Sequence, residues 1–156
     1  MSDTPSTQPG FPGVIPHLVC RGAAEAIDFY VAAFGAEEQI RLPGPDGKLI
    51  HACVLINGSA VFLVDEFEEM GARSPLQLGG SPVTLHLNVA DVDAAVERAV
   101  AAGASVTMAV EDQFWGDRYG VVQDPFGHLW SIATPAAGAP RTEAELSQAM
   151  ADDGSR

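Results

Sequence analysis

Apolar and polar positions along the chain follow an order that is typical of a small mixed α/β unit. A short apolar run at 14–20 precedes a segment whose apolar residues recur three and four positions apart, which is the spacing of one helix face: Ile27, Tyr30, Val31 and Phe34. Three strand-like runs follow, at about 37–43, 48–56 and 59–65. This order predicts a βαβββ module over residues 13–66.

The same order returns after a linker, predicted at 67–81, that ends in Gly79 and Gly80. An apolar run at 83–89 precedes Asp91, a good N-cap for a helix that would bury four residues: Val92, Val96, Ala99 and Val100. Strand-like runs then recur at about 105–110, 118–123 and 128–134. The second module is therefore predicted over residues 82–134.

A constant offset of 69 residues relates the two modules, since it takes His17 to His86 and Gly58 to Gly127. Duplication of one module is the simplest account of this match. Each sheet would carry a helix on one face only, so the two modules must cover each other's bare faces and leave a cleft between them. The predicted fold class is α+β, with two tandem βαβββ modules forming a concave pocket.

Both ends of the chain differ in composition from the modules. Residues 1–12 are rich in Ser, Thr, Pro and Gly, which predicts a disordered tail. Residues 135–156 are predicted to be a peripheral tail. Within it, Thr142 and Glu145 have the spacing of a capping box, which predicts a short helix near 143–151.

Charge and cysteine content narrow the expected partners and location. The formal net charge of −13 disfavours nucleic acid and anionic membranes, and it suits a cationic or neutral ligand. Cys20 and Cys53 each stand alone within an apolar run, as buried thiols of a reducing compartment do. No secretory signal or membrane-spanning run is recognisable, so a cytoplasmic protein is expected.

Several motifs resemble the glyoxalase / bleomycin-resistance / extradiol-dioxygenase superfamily, which has the vicinal oxygen chelate fold. They are the paired βαβββ pattern, the first helix from Ala26 to Ala36, and Asp124-Pro125-Phe126-Gly127-His128 before the last strand. The segment 114–120, together with Trp130-Ser131-Ile132, resembles the PhnB-like branch in particular. The resemblance implies enzymes such as isomerases and dioxygenases, and also proteins that sequester drugs without transforming them.

The resemblance also implies where a divalent metal would be held. Its His or Glu ligands usually lie near the start of each first strand and in each fourth strand. Those places fall here near Ile15, Phe62 (or Leu63), Thr84 and Ser131. Apolar side chains cannot ligate a cation, and hydroxyls alone are weak ligands. The usual metal quartet is therefore absent from the sequence, and no cofactor is expected at that place.

His17 and His86 are the leading catalytic candidates, because they are repeat partners on the polar face of each first strand. With Glu66, or Asp65, they could form a displaced site for Zn²⁺ or another transition metal. Alternatively, the two imidazoles could act as acid and base without a metal. A third interpretation makes them hydrogen-bonded pocket or interface residues.

Five further residues are predicted to contact a ligand. His51 shares a strand face with Cys53, and Asn88 lies in the polar row of His86. Trp115, Arg118 and Tyr119 surround a glycine-containing hairpin, where rings could stack on a planar or cationic ligand and the guanidinium could pair with an anionic group.

These observations favour a protein that binds a small organic molecule in the cleft between the modules and sequesters it. The alternative is a lyase- or isomerase-type enzyme that uses His17 and His86, so the enzyme status stays open. A third hypothesis is a structural subunit with an empty cleft. A homodimer is expected, because related proteins complete their clefts either within one chain or across a dimer.

Overall fold

A computed structural model describes residues 10–155. The predicted N-terminal tail therefore lies outside the described residues as far as residue 9. The rest of the chain forms two four-stranded sheets, each with a helix on one face. This arrangement confirms the predicted α+β fold of two βαβββ modules.

The first module contains β1 (His17–Cys20), α1 (Ala23–Phe34), β2 (Glu37–Pro43), β3 (Leu49–Ile56) and β4 (Ser59–Asp65). The strand order in its sheet is β1-β4-β3-β2, with β1 parallel to β4 and the other pairs antiparallel. A tight turn at Asn57-Gly58 joins β3 to β4, as predicted. Both residues have positive φ, which Asn and Gly tolerate in such hairpins.

The second module contains β5 (Thr84–Asn88), α3 (Val92–Ala102), β6 (Ser105–Asp112), β7 (Asp117–Gln123) and β8 (Leu129–Pro135). Its sheet has the equivalent order, β5-β8-β7-β6, with β5 parallel to β8. Between the modules, residues 67–81 hold a 3-10 helix, Glu68–Met70, and the short helix α2, Pro75–Leu78.

Strand register and helix capping both follow the repeat. His17 pairs with Phe62 in the first sheet, and His86 pairs with Ser131 in the second, so both positions are related by the same offset. Each helix start is satisfied from the end of the parallel strand beside it. The Asp65 carboxylate accepts the Ala23 N–H at 2.9 Å, and the Thr134 hydroxyl accepts the Val92 N–H at 2.8 Å.

Helices α1 and α3 pack against each other, so the modules meet on their helix side. The prediction that the modules cover each other's bare sheet faces is therefore wrong for the described residues. Tyr30 and Phe34 of α1 lie against the indole of Trp130 on β8, with ring centroids 5.4 and 4.8 Å apart. Arg98 of α3 donates to the carbonyl of Ala32 at 2.7 Å and thereby satisfies part of the C-terminal end of α1. One hydrophobic core therefore spans both modules.

The carboxylate of Asp124, in the turn before β8, is buried at the centre of this core. It accepts hydrogen bonds from the Tyr30 hydroxyl and the Trp130 indole N–H, and from the backbone N–H groups of Phe126 and His128. Burial and the neighbouring Asp124 carboxylate hold the pKa of Tyr30 well above its ordinary value. Tyr30 therefore remains a neutral donor, and it joins the first module to the second.

The C-terminal tail forms the helix α4, Glu143–Gly154, whose N-cap Thr142 accepts the Glu145 N–H. None of the helices in residues 10–155 combines the length and the apolar character that crossing a bilayer requires.

Replacing the buried carboxylate should test its contribution to stability. Asp124→Ala leaves its four donors without their acceptor, so we expect a loss of at least about 3 kcal/mol in the free energy of unfolding, measured by urea denaturation. Tyr30→Phe removes one donor and should cost about 1–2 kcal/mol. Asp153→Ala, at an exposed position of α4, is the matched control and should change stability by less than about 0.5 kcal/mol. A similar small effect of Asp124→Ala would contradict this account.

Candidate functional site

His86 lies on the face of the second sheet that is turned away from the helices. Its Nδ1 is 2.7 Å from the Ser131 hydroxyl, and its Nε2 is 2.9 Å from Oδ1 of Asn88. Because an amide oxygen can only accept, Nε2 is the donor to Asn88, and in the tautomer with its proton at Nε2 the Nδ1 atom accepts from the hydroxyl. The ring is thus held on both sides, while the residue itself is exposed.

Two aromatic side chains extend this group across the same sheet. The Tyr119 ring is nearly parallel to the His86 imidazole, with centroids 6.2 Å apart, and the Trp115 indole meets Tyr119 edge to face at 5.5 Å. The Trp115 indole N–H donates to Asp117 at 3.0 Å. Four predicted ligand-contacting or catalytic residues therefore form one connected group: His86, Asn88, Tyr119 and Trp115.

Arg118 lies on the opposite face of the same strand and does not join this group. Adjacent residues in a strand point to opposite sides, so the side chain of Arg118 is turned toward α3 when that of Tyr119 is turned away from it. Its guanidinium pairs with Asp93 of α3 at 2.7 Å and with Asp112 of β6 at 3.1 Å. These two carboxylates raise the pKa of Arg118. They also neutralise the positive charge that was predicted to pair with an anionic group of a ligand.

His17 and His51 form a separate group on the first sheet, with the Phe62 ring between them. The imidazoles meet this ring edge to face, with centroid distances of 5.9 Å for His17 and 4.9 Å for His51. Burial, followed by repulsion from His51, lowers the pKa of His17 below its ordinary value of 6.5. In residues 10–155, no hydrogen bond or ring contact joins this group to His86.

A cavity of about 730 Å³ lies between the modules and is open to solvent. The second module contributes β5, including His86 and Asn88. The first module contributes the segment before β1 and the turn between β3 and β4. Asn57 in that turn donates to the Asn88 carbonyl at 3.0 Å, so it ties the two walls together. Sequence reasoning treated Asn57 only as a turn residue, because this role depends on the packing of the modules.

The residues at the usual metal-ligand places do not fit a metal. Ile15 and Thr84 line the cavity, Phe62 lies between two imidazoles, and the Ser131 hydroxyl is bonded to His86. An aliphatic side chain, a phenyl ring and two hydroxyls cannot replace the His and carboxylate ligands of a transition metal.

The displaced site predicted from His17, His86 and Glu66 is not assembled either. Glu66 pairs with Arg21 at 3.2 Å and accepts from the Ser74 hydroxyl, while Asp65 caps α1. Within the described part of the chain, no group of three or more His, Cys, Asp or Glu side chains is arranged to hold a metal ion. Both carboxylates, at the end of β4 and just after it, are therefore engaged by structural partners in the same module or the linker.

Comparisons with known proteins agree with this fold. The family model of the glyoxalase/bleomycin resistance protein/dioxygenase superfamily matches residues 14–132, and the chain belongs to that superfamily. It is 55% identical over 146 residues to the uncharacterized protein Mb0911c of Mycobacterium bovis, which covers 92% of this chain and 96% of that protein.

Two solved structures are also similar. The X-ray structure of the Arabidopsis thaliana gene product At5g48480 has a TM-score of 0.64 and 30% identity, covering 80% of this chain and 99% of that one. A PhnB protein from Bacillus cereus has a TM-score of 0.61 at 18% identity, covering 79% and 99% respectively. The second likeness shows the fold alone.

The environment of His17 leads to a prediction for titration by NMR. We expect the pKa of His17 to lie below 6.5, and His51→Gln should raise it part of the way back, because burial is the larger cause. His86→Gln is the matched control and should leave the pKa of His17 unchanged. A clear shift of the His17 pKa in His86→Gln would show that the two imidazoles face each other and would contradict the separation of the two groups.

Proposed function

We propose that this protein binds a small organic molecule in the cavity between the modules and sequesters it. The observation that carries the proposal is the exposed His86 imidazole at the cavity wall, fixed by Ser131 and Asn88 and continued by the ring of Tyr119. Of these two rings, that of His86 lines the cavity, and a fixed ring beside open space provides a stacking surface that loses little side-chain entropy when a ligand binds. The cavity volume is within the range of small-molecule sites.

The charge of the chain favours a cationic or neutral ligand with a planar part. Arg118, which could have attracted an anion, is paired with two aspartates on the other face. The net charge of −13 repels anions over the whole surface. An aromatic cation would bind more tightly than a neutral ligand, because the aromatic ring at the cavity wall and the negative potential of the protein both attract it.

Metal-free acid/base chemistry at His86 is the second candidate function, in a lyase- or isomerase-type reaction. The hydrogen-bond chain from Ser131 through His86 to Asn88 favours it. When Nδ1 takes up a proton, the hydroxyl can rotate and accept, and the Asn88 oxygen accepts as before. His86 could therefore hold either protonation state without losing a partner. His17 would act as the second base only in a cleft completed by a second copy.

We further propose a homodimer, located in the cytoplasm, that belongs to the PhnB-like branch. The sheet faces turned away from the helices support dimerisation, because Leu42 on β2 and Met108 on β6 are 46% and 44% exposed. Sedimentation velocity measures the oligomeric state.

Burial of both cysteines supports a reducing compartment, as the proposed cytoplasmic location requires.

Binding can be tested with proflavine, a planar aromatic cation, by following backbone amide shifts in NMR. We expect shifts at residues 56–60 and 84–88, and His86→Ala should weaken the affinity by about five-fold or more through loss of the stacking ring. Arg118→Ala is the control and should change the affinity by less than about two-fold, since its side chain lies on the other face. Shifts confined to other regions, or an unaffected His86→Ala variant, would refute the cavity as the site.

A further inference from the structure

A second cavity lies between the β6–β7 hairpin and the C-terminal helix α4. It has a volume of about 530 Å³, and its lining is mostly apolar: Phe114, Trp115, Leu146 and Met150, together with Glu143 and Ser147. It shares no lining residue with the cavity between the modules. An inference about this cleft therefore stands apart from the proposed function.

The chain between β8 and α4 is anchored on the hairpin, so α4 has a defined place. A Cβ added at Gly116 would lie 2.4 Å from the Cβ of Ala139, and φ at Gly116 is +97°. Only glycine permits so close an approach in this conformation. The Gly116 carbonyl accepts the Ala136 N–H at 3.0 Å, and Ala139 is 7% exposed. The tail is therefore docked at this point before α4 begins.

The aromatic wall of the cleft is held in a fixed orientation. The Trp115 indole N–H is bonded to Asp117, and its ring meets those of Tyr119 and Phe114 edge to face, with centroids 5.5 and 5.0 Å apart. Two aromatic rings of set orientation thus face the helix across the cleft.

The opposite wall is an apolar stripe of α4 that its own chain covers only in part. Leu146 and Met150 are four positions apart and so share one side of the helix. Met150 is 56% exposed, and α4 contains no buried residue. Phe114, Trp115 and Leu146 are half-buried, so part of the apolar surface of each still meets water in the cleft, and an apolar ligand would cover it. Docking of α4 on the hairpin covers Leu146 in part and leaves most of Met150 uncovered.

We propose that the cleft between the aromatic hairpin and α4 binds a hydrophobic organic cation. Phe114 and Trp115 offer π faces, which attract cations, and Met150 offers a polarisable thioether that adapts to irregular apolar ligands. Glu143, which also lines the cleft, supplies an opposite charge, and the net charge of −13 attracts cations from a distance. The cleft thereby gives Trp115 a ligand surface outside the cavity between the modules.

Isothermal titration calorimetry with tetraphenylphosphonium tests the proposal on the full chain. The cation should bind, and Met150→Ala and Leu146→Ala should each weaken the affinity by about five-fold, as expected for the loss of one apolar contact surface. Gly116→Val should weaken binding further, because its side chain clashes with Ala139 and displaces the tail. Glu143→Gln should reduce the affinity for tetraphenylphosphonium more than that for neutral triphenylphosphine oxide.

Two matched variants complete the design. Gln148→Ala shortens a side chain of α4 that does not line the cleft and should leave the affinity unchanged. His86→Ala should also leave it unchanged, which separates this cleft from the cavity between the modules. No binding of tetraphenylphosphonium, or binding that survives Met150→Ala, Leu146→Ala and Gly116→Val alike, would overturn the proposal. Loss of binding in His86→Ala with no effect in Met150→Ala would assign the cation to the other cavity and would also overturn it.

Discussion

The Asp124 carboxylate is buried where the two modules meet, and it is bonded to groups from both of them. A buried carboxylate is tolerated only when hydrogen bonds replace its lost hydration, and this one accepts four: from Tyr30, Trp130, Phe126 and His128. Three of these donors belong to the turn and strand around Asp124, and the fourth belongs to α1. The carboxylate therefore specifies how α1 lies against β8, and the helix–helix contact follows from that position.

The candidate site depends on the same geometry. Strand β8 carries Trp130 toward the helices and Ser131 toward the opposite face, so fixing Trp130 also fixes the hydroxyl that holds His86. His128, two residues before Trp130, bonds to the Val19 carbonyl at 2.9 Å, and the Asn57 amide donates to the Asn88 carbonyl at 3.0 Å. These two bonds cross between the modules in opposite directions, and the bond of Asn57 lies at the cavity itself. The wall that carries His86 is thus a consequence of the core.

Hydrophobic periodicity and the repeat predicted the fold and the equivalent positions of His17 and His86 in the two first strands, because both depend on local patterns. Side-chain contacts between elements could not be predicted in the same way. Arg118 was grouped with Tyr119 because they are neighbours in sequence, although strand alternation separates their side chains. The docking of the tail at Gly116 was also missed, since it depends on an approach by Ala139 that has no local sequence pattern.

The central claim is that the cavity between the modules binds organic ligands through fixed side chains and not through a metal at the usual ligand places. Native mass spectrometry of untagged protein, mixed with a set of aromatic amines with and without a chelator, tests it most directly. We predict that the same amines bind to the same extent in both conditions. Occupancy that the chelator abolishes, and that an added divalent cation restores, would contradict the account.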